Sequence, residues 1–134
     1  MANQLFNSGR EGFLDGTIDW DTGDIRCMFV RSTYTYDATD KFITDIGAVE
    51  NGRSAALGSK TVTAGVAGAA NTTITATAAV ATNAIIVFQH TGSDATARLI
   101  AYIDTPSAGL PFTPSASQVC NINFDTGVNK IFKL

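Results

Sequence analysis

At 134 residues and a formal net charge of −3, the chain has the length of one domain and the wrong sign of charge for gripping phosphates, so nucleic acid is not an expected partner. A composition that is 45% hydrophobic, with 12 glycines, belongs to a globular fold and excludes a disordered chain. No apolar run is long enough to cross a bilayer and no basic-then-apolar leader opens the sequence, so neither a membrane partner nor secretion is expected.

In chain order, residues 1–7 read as a short N-terminal arm carrying two apolar side chains, Leu5 and Phe6. Asn7 or Ser8 is placed to cap a helix through Asp15, with Glu11 three residues after Ser8 as in a capping box, and Gly16 ends it. Phe6, Phe13 and Leu14 form the expected apolar side of that helix. Ile18–Trp20 predicts a short strand, Asp21–Asp24 a turn, and Ile25–Arg31 the return strand with Ile25, Cys27 and Phe29 alternating inward. After a polar, Tyr-containing loop, Lys41–Ile46 predicts one helical turn stopped by Gly47.

From residue 54 onward only strand and turn signals occur. Ser54–Leu57 and Lys60–Ala64 flank Gly58-Ser59, a hairpin-type pair. Thr72–Ala78 alternates Thr with Ile and Ala, as in a strand with one wet or contacted face. The strongest core signal is Ala84–Asp104, two apolar runs joined by Thr91–Thr96, in which Ile85–Phe88 is apolar on both faces and belongs mid-sheet. In its second run Leu99, Ala101 and Ile103 make one apolar face. All three prolines lie in 104–117, a structured loop that also carries Leu110 and Phe112. Val119–Phe124 turns Cys120, Ile122 and Phe124 inward, and residues 129–134 close the chain as a strand. About eight short strands and one N-terminal helix predict a mainly β single domain over 1–134, a β-sandwich or a jelly-roll-like barrel.

Charge is unevenly spread. Residues 1–53 carry nine acids and five bases, residues 54–134 three acids and four bases, and Thr61–Ser93 carries none. Soluble monomers place charge on most exposed faces, so this 33-residue segment points to contact with protein.

The candidate chemistry is thin. Asp-Thr-Gly at Asp21 and at Asp125 is the tripeptide of aspartic proteases, but it is also a tight-turn sequence, and only seven residues follow Gly127 to support a catalytic loop. Asp15, Asp19, Asp21 and Asp24 suggest an adventitious Ca²⁺ site, yet an EF-hand beginning at Asp19 would need Gly and Glu where Asp24 and Val30 stand. One histidine, His90, and two cysteines without CxxC spacing leave no metal set, and His90 has no nucleophile elbow to serve. Cys27 and Cys120, each inside an apolar run, are expected to be buried free thiols, with a disulfide between adjacent strands as the geometric alternative. Trp20, Tyr34 and Tyr36 are the aromatics on which a carbohydrate-binding module would rest. No catalytic residue, cofactor or structural metal is expected.

Asn7–Gly16 followed by Ile18-Asp19-Trp20, together with Thr91-Gly92-Ser93, Ala95–Asp104, Gly109-Leu110-Pro111 and the ending Ile131–Leu134, resembles a family of small tailed-bacteriophage virion proteins. The match covers about half the chain and consists of structural residues. The resemblance implies a non-enzymatic capsid decoration or cement protein of β-structure, made in the host cytoplasm and located on the virion. Its partners would be the major capsid protein and further copies of itself; a tail-associated component bound to tail proteins is the alternative. The candidate contact residues are Leu5 and Phe6 on the arm and Leu110 and Phe112 on the Pro-rich loop.

Overall fold

The architecture comes from a computed structural model that describes residues 3–106, 109–128 and 130–134. The strands are β1 (Gln4–Leu5), β2 (Ile25–Arg31), β3 (Glu50–Arg53), β4 (Thr61–Thr63), β5 (Val66–Gly68), β6 (Thr72–Thr75), β7 (Thr82–Gln89), β8 (Leu99–Ile103), β9 (Val119–Ile122) and β10 (Phe132–Lys133). One α-helix, α1 (Asn7–Asp15), and one 3-10 turn, Ile43–Ile46, complete the regular structure of the described residues. The fold is mainly β, as expected.

The strand that is apolar on both sides takes the middle. In the antiparallel sheet β1-β8-β7-β2-β3, β7 lies at the centre between β8 and β2. Ala84, Ile86 and Phe88 face one cluster with Met28 and Val30, closed by Phe6, Tyr34, Ile43 and Ile46. Val87 faces the other, with Ile25, Cys27 and Phe29. That second face is covered by two smaller antiparallel sheets, β10-β5-β4 and β6-β9, which contribute Ala67, Ile74 and Ile122. The layers remain open, so the barrel form is not adopted.

A β-bulge alters the expected faces of β8. Phe88 is opposite Leu99 and Val87 is opposite Ala101, leaving Ile100 as the extra residue. Leu99 therefore joins the cluster of Phe88, while Ala101 and Ile103 turn to the other. Alternation in the sequence assigned all three to one face, because period-two counting cannot register an inserted residue.

The N-terminal segment also differs from its expectation. Residues 3–7 are part of the body: β1 pairs with β8, the Phe6 amide donates to the Ile100 carbonyl at 2.9 Å, and Asn3 Oδ1 accepts from the Asp104 and Thr105 amides. Residues 1–2 of the expected arm lie outside the described residues. No side chain caps α1; Ser8 Oγ instead donates to the Leu99 carbonyl at 2.8 Å. The helix seats through Ser8, Gly9 and Gly12, while Leu14, assigned to its apolar side, is 89% exposed. At Gly9 a Cβ would stand 2.7 Å from the Ile100 oxygen, so only glycine lets the helix come this close. Gly16 ends the helix in the left-handed conformation, as expected.

The Ile18–Trp20 segment is not a strand, although Ile18 and Trp20 are buried. The hairpin placed at Gly58-Ser59 forms instead between β4 and β5. Its turn residues Ala64 and Gly65 both have positive φ, the geometry that matches strand twist. Residue 129, the start of the expected closing strand, lies outside the described residues, and that strand is seen as β10.

Candidate protein-contact surface

Loop 104–117 and strand β9 frame a groove of about 370 Å³ on the sandwich side of the central sheet. Phe29 and Ile85 form its floor, Leu110 and Phe112 one wall, and Val119 to Asn123 the other. Phe112 is fixed by two backbone bonds with Thr82, at 2.8 and 2.9 Å, and its ring meets Phe29 edge-on at 5.4 Å. Leu110 is half-buried at the rim, and Ser107 and Ala108 of the same loop lie outside the described residues.

Of the four predicted contact residues, the structure brings Leu110 and Phe112 together and separates the other two from them. Leu5 is half-buried, and its carbonyl accepts from Arg10 Nη1 and Tyr36 Oη. Phe6 is 0% exposed, with its ring 5.1 Å from Tyr36, so it is core and offers nothing to a partner.

A second feature of this surface was not recognised in the sequence. Thr105–Phe124 is also free of Asp, Glu, Lys and Arg, and pairing of β6 with β9 sets it beside the uncharged Thr61–Ser93 segment. The outer side of this small sheet presents Thr73, Thr75, Val119 and Asn121, all exposed and uncharged. Strands from two charge-free stretches, β6 and β9, thus pair to make one neutral surface. The signal was present in the second stretch, where the three prolines drew attention to loop geometry instead.

The other candidates do not assemble. Asp21 and Asp125 line different cavities, and Asp125 Oδ1 accepts from the Gly127 amide within its own turn. They do not form a carboxylate dyad. Among the described residues no group of three or more His, Cys, Asp or Glu side chains is placed to hold a metal. Asp19 is already engaged by the Asp21 and Thr22 amides and the Thr22 hydroxyl, and Asp24 by the fork of Arg26, with both bonds at 2.9 Å. Trp20 is buried, donating Nε1–H to the Gly68 carbonyl, while Tyr34 and Tyr36 pack in the cluster on the opposite face of the central sheet. These three aromatics therefore build no sugar-stacking row.

Cys27 and Cys120 are both free thiols. Burial pushes the Cys27 thiol up to about 12 and also raises Cys120, which lies half-buried in the groove. Cys27 should resist a thiol reagent until the protein unfolds, whereas Cys120 should react in the native state. Labelling followed by peptide mass mapping checks this, and equal native reactivity would contradict the burial of Cys27.

Four carboxylates sit below their ordinary value of 3.8: Asp15, Asp19 and Asp37 through bonds from neighbouring Thr residues, and Asp24 through Arg26. Each holds on to its charge more strongly when folded, so its contribution is present above the ordinary value and disappears as pH falls through the lowered one. The urea midpoint should hold down to about pH 5 and fall once pH drops below 3.8. A midpoint that rises on acidification would contradict the assignment.

Comparison with protein families, curated proteins and solved structures finds no match to this chain.

Proposed function

We propose that this chain is a non-enzymatic structural protein of a tailed-phage virion, binding the outer head surface and stabilising the shell as a homo-oligomer. The observation that carries the reading is the neutral surface built where β6 and β9 pair, beside a groove walled by Leu110 and Phe112. A surface of exposed Thr, Asn and Val around apolar side chains buries against protein without desolvating any charge. The resemblance of the two sequence stretches to small virion proteins supports the same reading, with the major capsid protein as the partner.

Electron microscopy of virions labelled with antibody against this chain tests the proposal. Label spread over the head supports it. Label confined to the tail would replace it with a tail-associated role, and virions without label would overturn both. Within the head reading, Leu110→Asp should strip the protein from purified heads with a much smaller loss of melting temperature than a fully buried core position would show, since Leu110 is only half-buried in the groove wall.

A further inference from the structure

Asn51-Gly52 is the one Asn-Gly pair in the sequence, and it stands in β3 where that strand meets the end of β6. The fold calls for both residues. Gly52 holds a φ of 104°, and a Cβ on it would lie 2.1 Å from the Thr75 oxygen, so no side chain fits. Asn51 is 0% exposed and uses its whole amide. Its Nδ2 donates to the Ala78 carbonyl at 3.1 Å and the Thr82 hydroxyl at 3.2 Å. Its Oδ1 accepts from the Thr77 hydroxyl at 3.0 Å and the Ala78 amide at 2.9 Å. A side-chain amide supplies both donors and acceptors at one place, which a carboxylate does not.

The same pair is chemically the least durable in a polypeptide. An asparagine side chain is open to attack by the backbone nitrogen of the next residue, and a glycine there leaves that nitrogen unshielded and the backbone free to turn. The Gly52 nitrogen bonds to Asn51 Cγ, the Cγ–Nδ2 bond breaks, and ammonia leaves with the proton of the attacking nitrogen, closing a succinimide ring. Water then opens the ring at either carbonyl. Breaking the new Cγ–N bond gives Asp at 51, and breaking the backbone C–N bond gives isoaspartate; nothing is oxidised or reduced. The native state opposes each part of this step. Turning Cγ onto the Gly52 nitrogen breaks all the hydrogen bonds of the amide at once, and the buried side chain is out of reach of bulk water.

We propose that Asn51-Gly52 is a deamidation site held closed by the contact of β3 with β6, and that its reaction makes opening of that contact irreversible. A carboxylate at 51 has no hydrogen to donate and sets its charge against the Ala78 carbonyl oxygen, in a site without solvent. Isoaspartate lengthens the backbone just ahead of Gly52, where the fit to Thr75 leaves no slack. A modified chain therefore does not rebuild the link from β3 to Thr77, Ala78 and Thr82. Copies that have opened are marked, and marked copies stay open. This property belongs to the chain itself and does not rest on the virion reading.

Peptide mass mapping of protein held at mildly alkaline pH, in buffer and in urea, tests it. In urea, Asn51 should deamidate ahead of every other asparagine. In buffer its rate should fall at least about a hundredfold, since only the opened fraction reacts. Thr77→Val removes one bond to Oδ1 and should raise the native rate about fivefold, with the rate in urea unchanged. When urea is removed, unmodified chains should regain the wild-type urea midpoint, and deamidated chains should stay unfolded or show a lower one. A native rate close to the rate in urea, another asparagine reacting first, an unmoved native rate in Thr77→Val, or deamidated chains that regain the wild-type midpoint would overturn the proposal.

Discussion

Gly52→Ala should destabilise the protein by more than about 4 kcal/mol, enough to remove most of the folded population of a domain of ordinary stability. Gly52 sits in β3 at a φ of 104°, which an L side chain rarely adopts, and an added Cβ would stand only 2.1 Å from the Thr75 oxygen. The atom it meets is backbone, so no side chain can swing aside to make room. Retreat of β6 would also pull on Asn51, the buried neighbour whose amide donates to the Ala78 carbonyl and Thr82 hydroxyl and accepts from Thr77 and the Ala78 amide. Leaving such groups unpaired costs about 1–3 kcal/mol each. Gly58→Ala is the control: nothing lies within 4 Å of its Cβ position, and the change should stay within about 0.5 kcal/mol. Urea denaturation of both variants checks the pair, and equal midpoints would show that the β3–β6 approach is not tight.

Phe6→Ala should cost about 3–5 kcal/mol, the usual penalty for emptying a fully buried aromatic site. Phe6 closes the cluster around Met28, Ile86, Phe88 and Leu99, and nothing in that cluster is free to refill the volume. A residue that gripped a partner from a flexible arm would instead lose binding at unchanged stability. Thermal unfolding of the variant separates the two roles, and a wild-type melting temperature would return Phe6 to the surface. Leu110→Asp should instead lose head binding with a much smaller loss of melting temperature.

The central hairpin was legible because a strand apolar on both faces has few places to go; Ile85–Phe88 declared the middle of the sheet. Cys120 and Ile122 inward against exposed Asn121 and Asn123 was legible for the same reason, since period-two alternation survives in short strands. The bulge at Ile100 was not, because an inserted residue leaves the local composition unchanged. The seating of α1 was legible only in part: of Phe6, Phe13 and Leu14, Phe6 is buried and Phe13 packs against Phe132, but Leu14 is exposed and the buried helix positions are Ser8, Gly9 and Gly12. Close approach of backbones selects small residues, and an apolar pattern does not reveal it. At the candidate surface, Leu110 and Phe112 were legible as large apolar residues on a loop. The neutral β6–β9 sheet was not, because it depends on pairing residues nearly fifty positions apart, such as Ile74 with Cys120.

The Asn51 interlock also determines how mechanical load leaves the contact surface. A pull on β9 is carried first by the four paired positions it shares with β6, and Gln118 and Ser117 extend that grip to Ala76. From β6 the force reaches the loop at Thr77 and Ala78, where Asn51 anchors it to β3. Strand β3 is itself laddered to β2, next to the centre of the main sheet. Tension applied at the rim is thus delivered sideways into the central sheet, and the buried Asn51 amide is one rivet through which it passes.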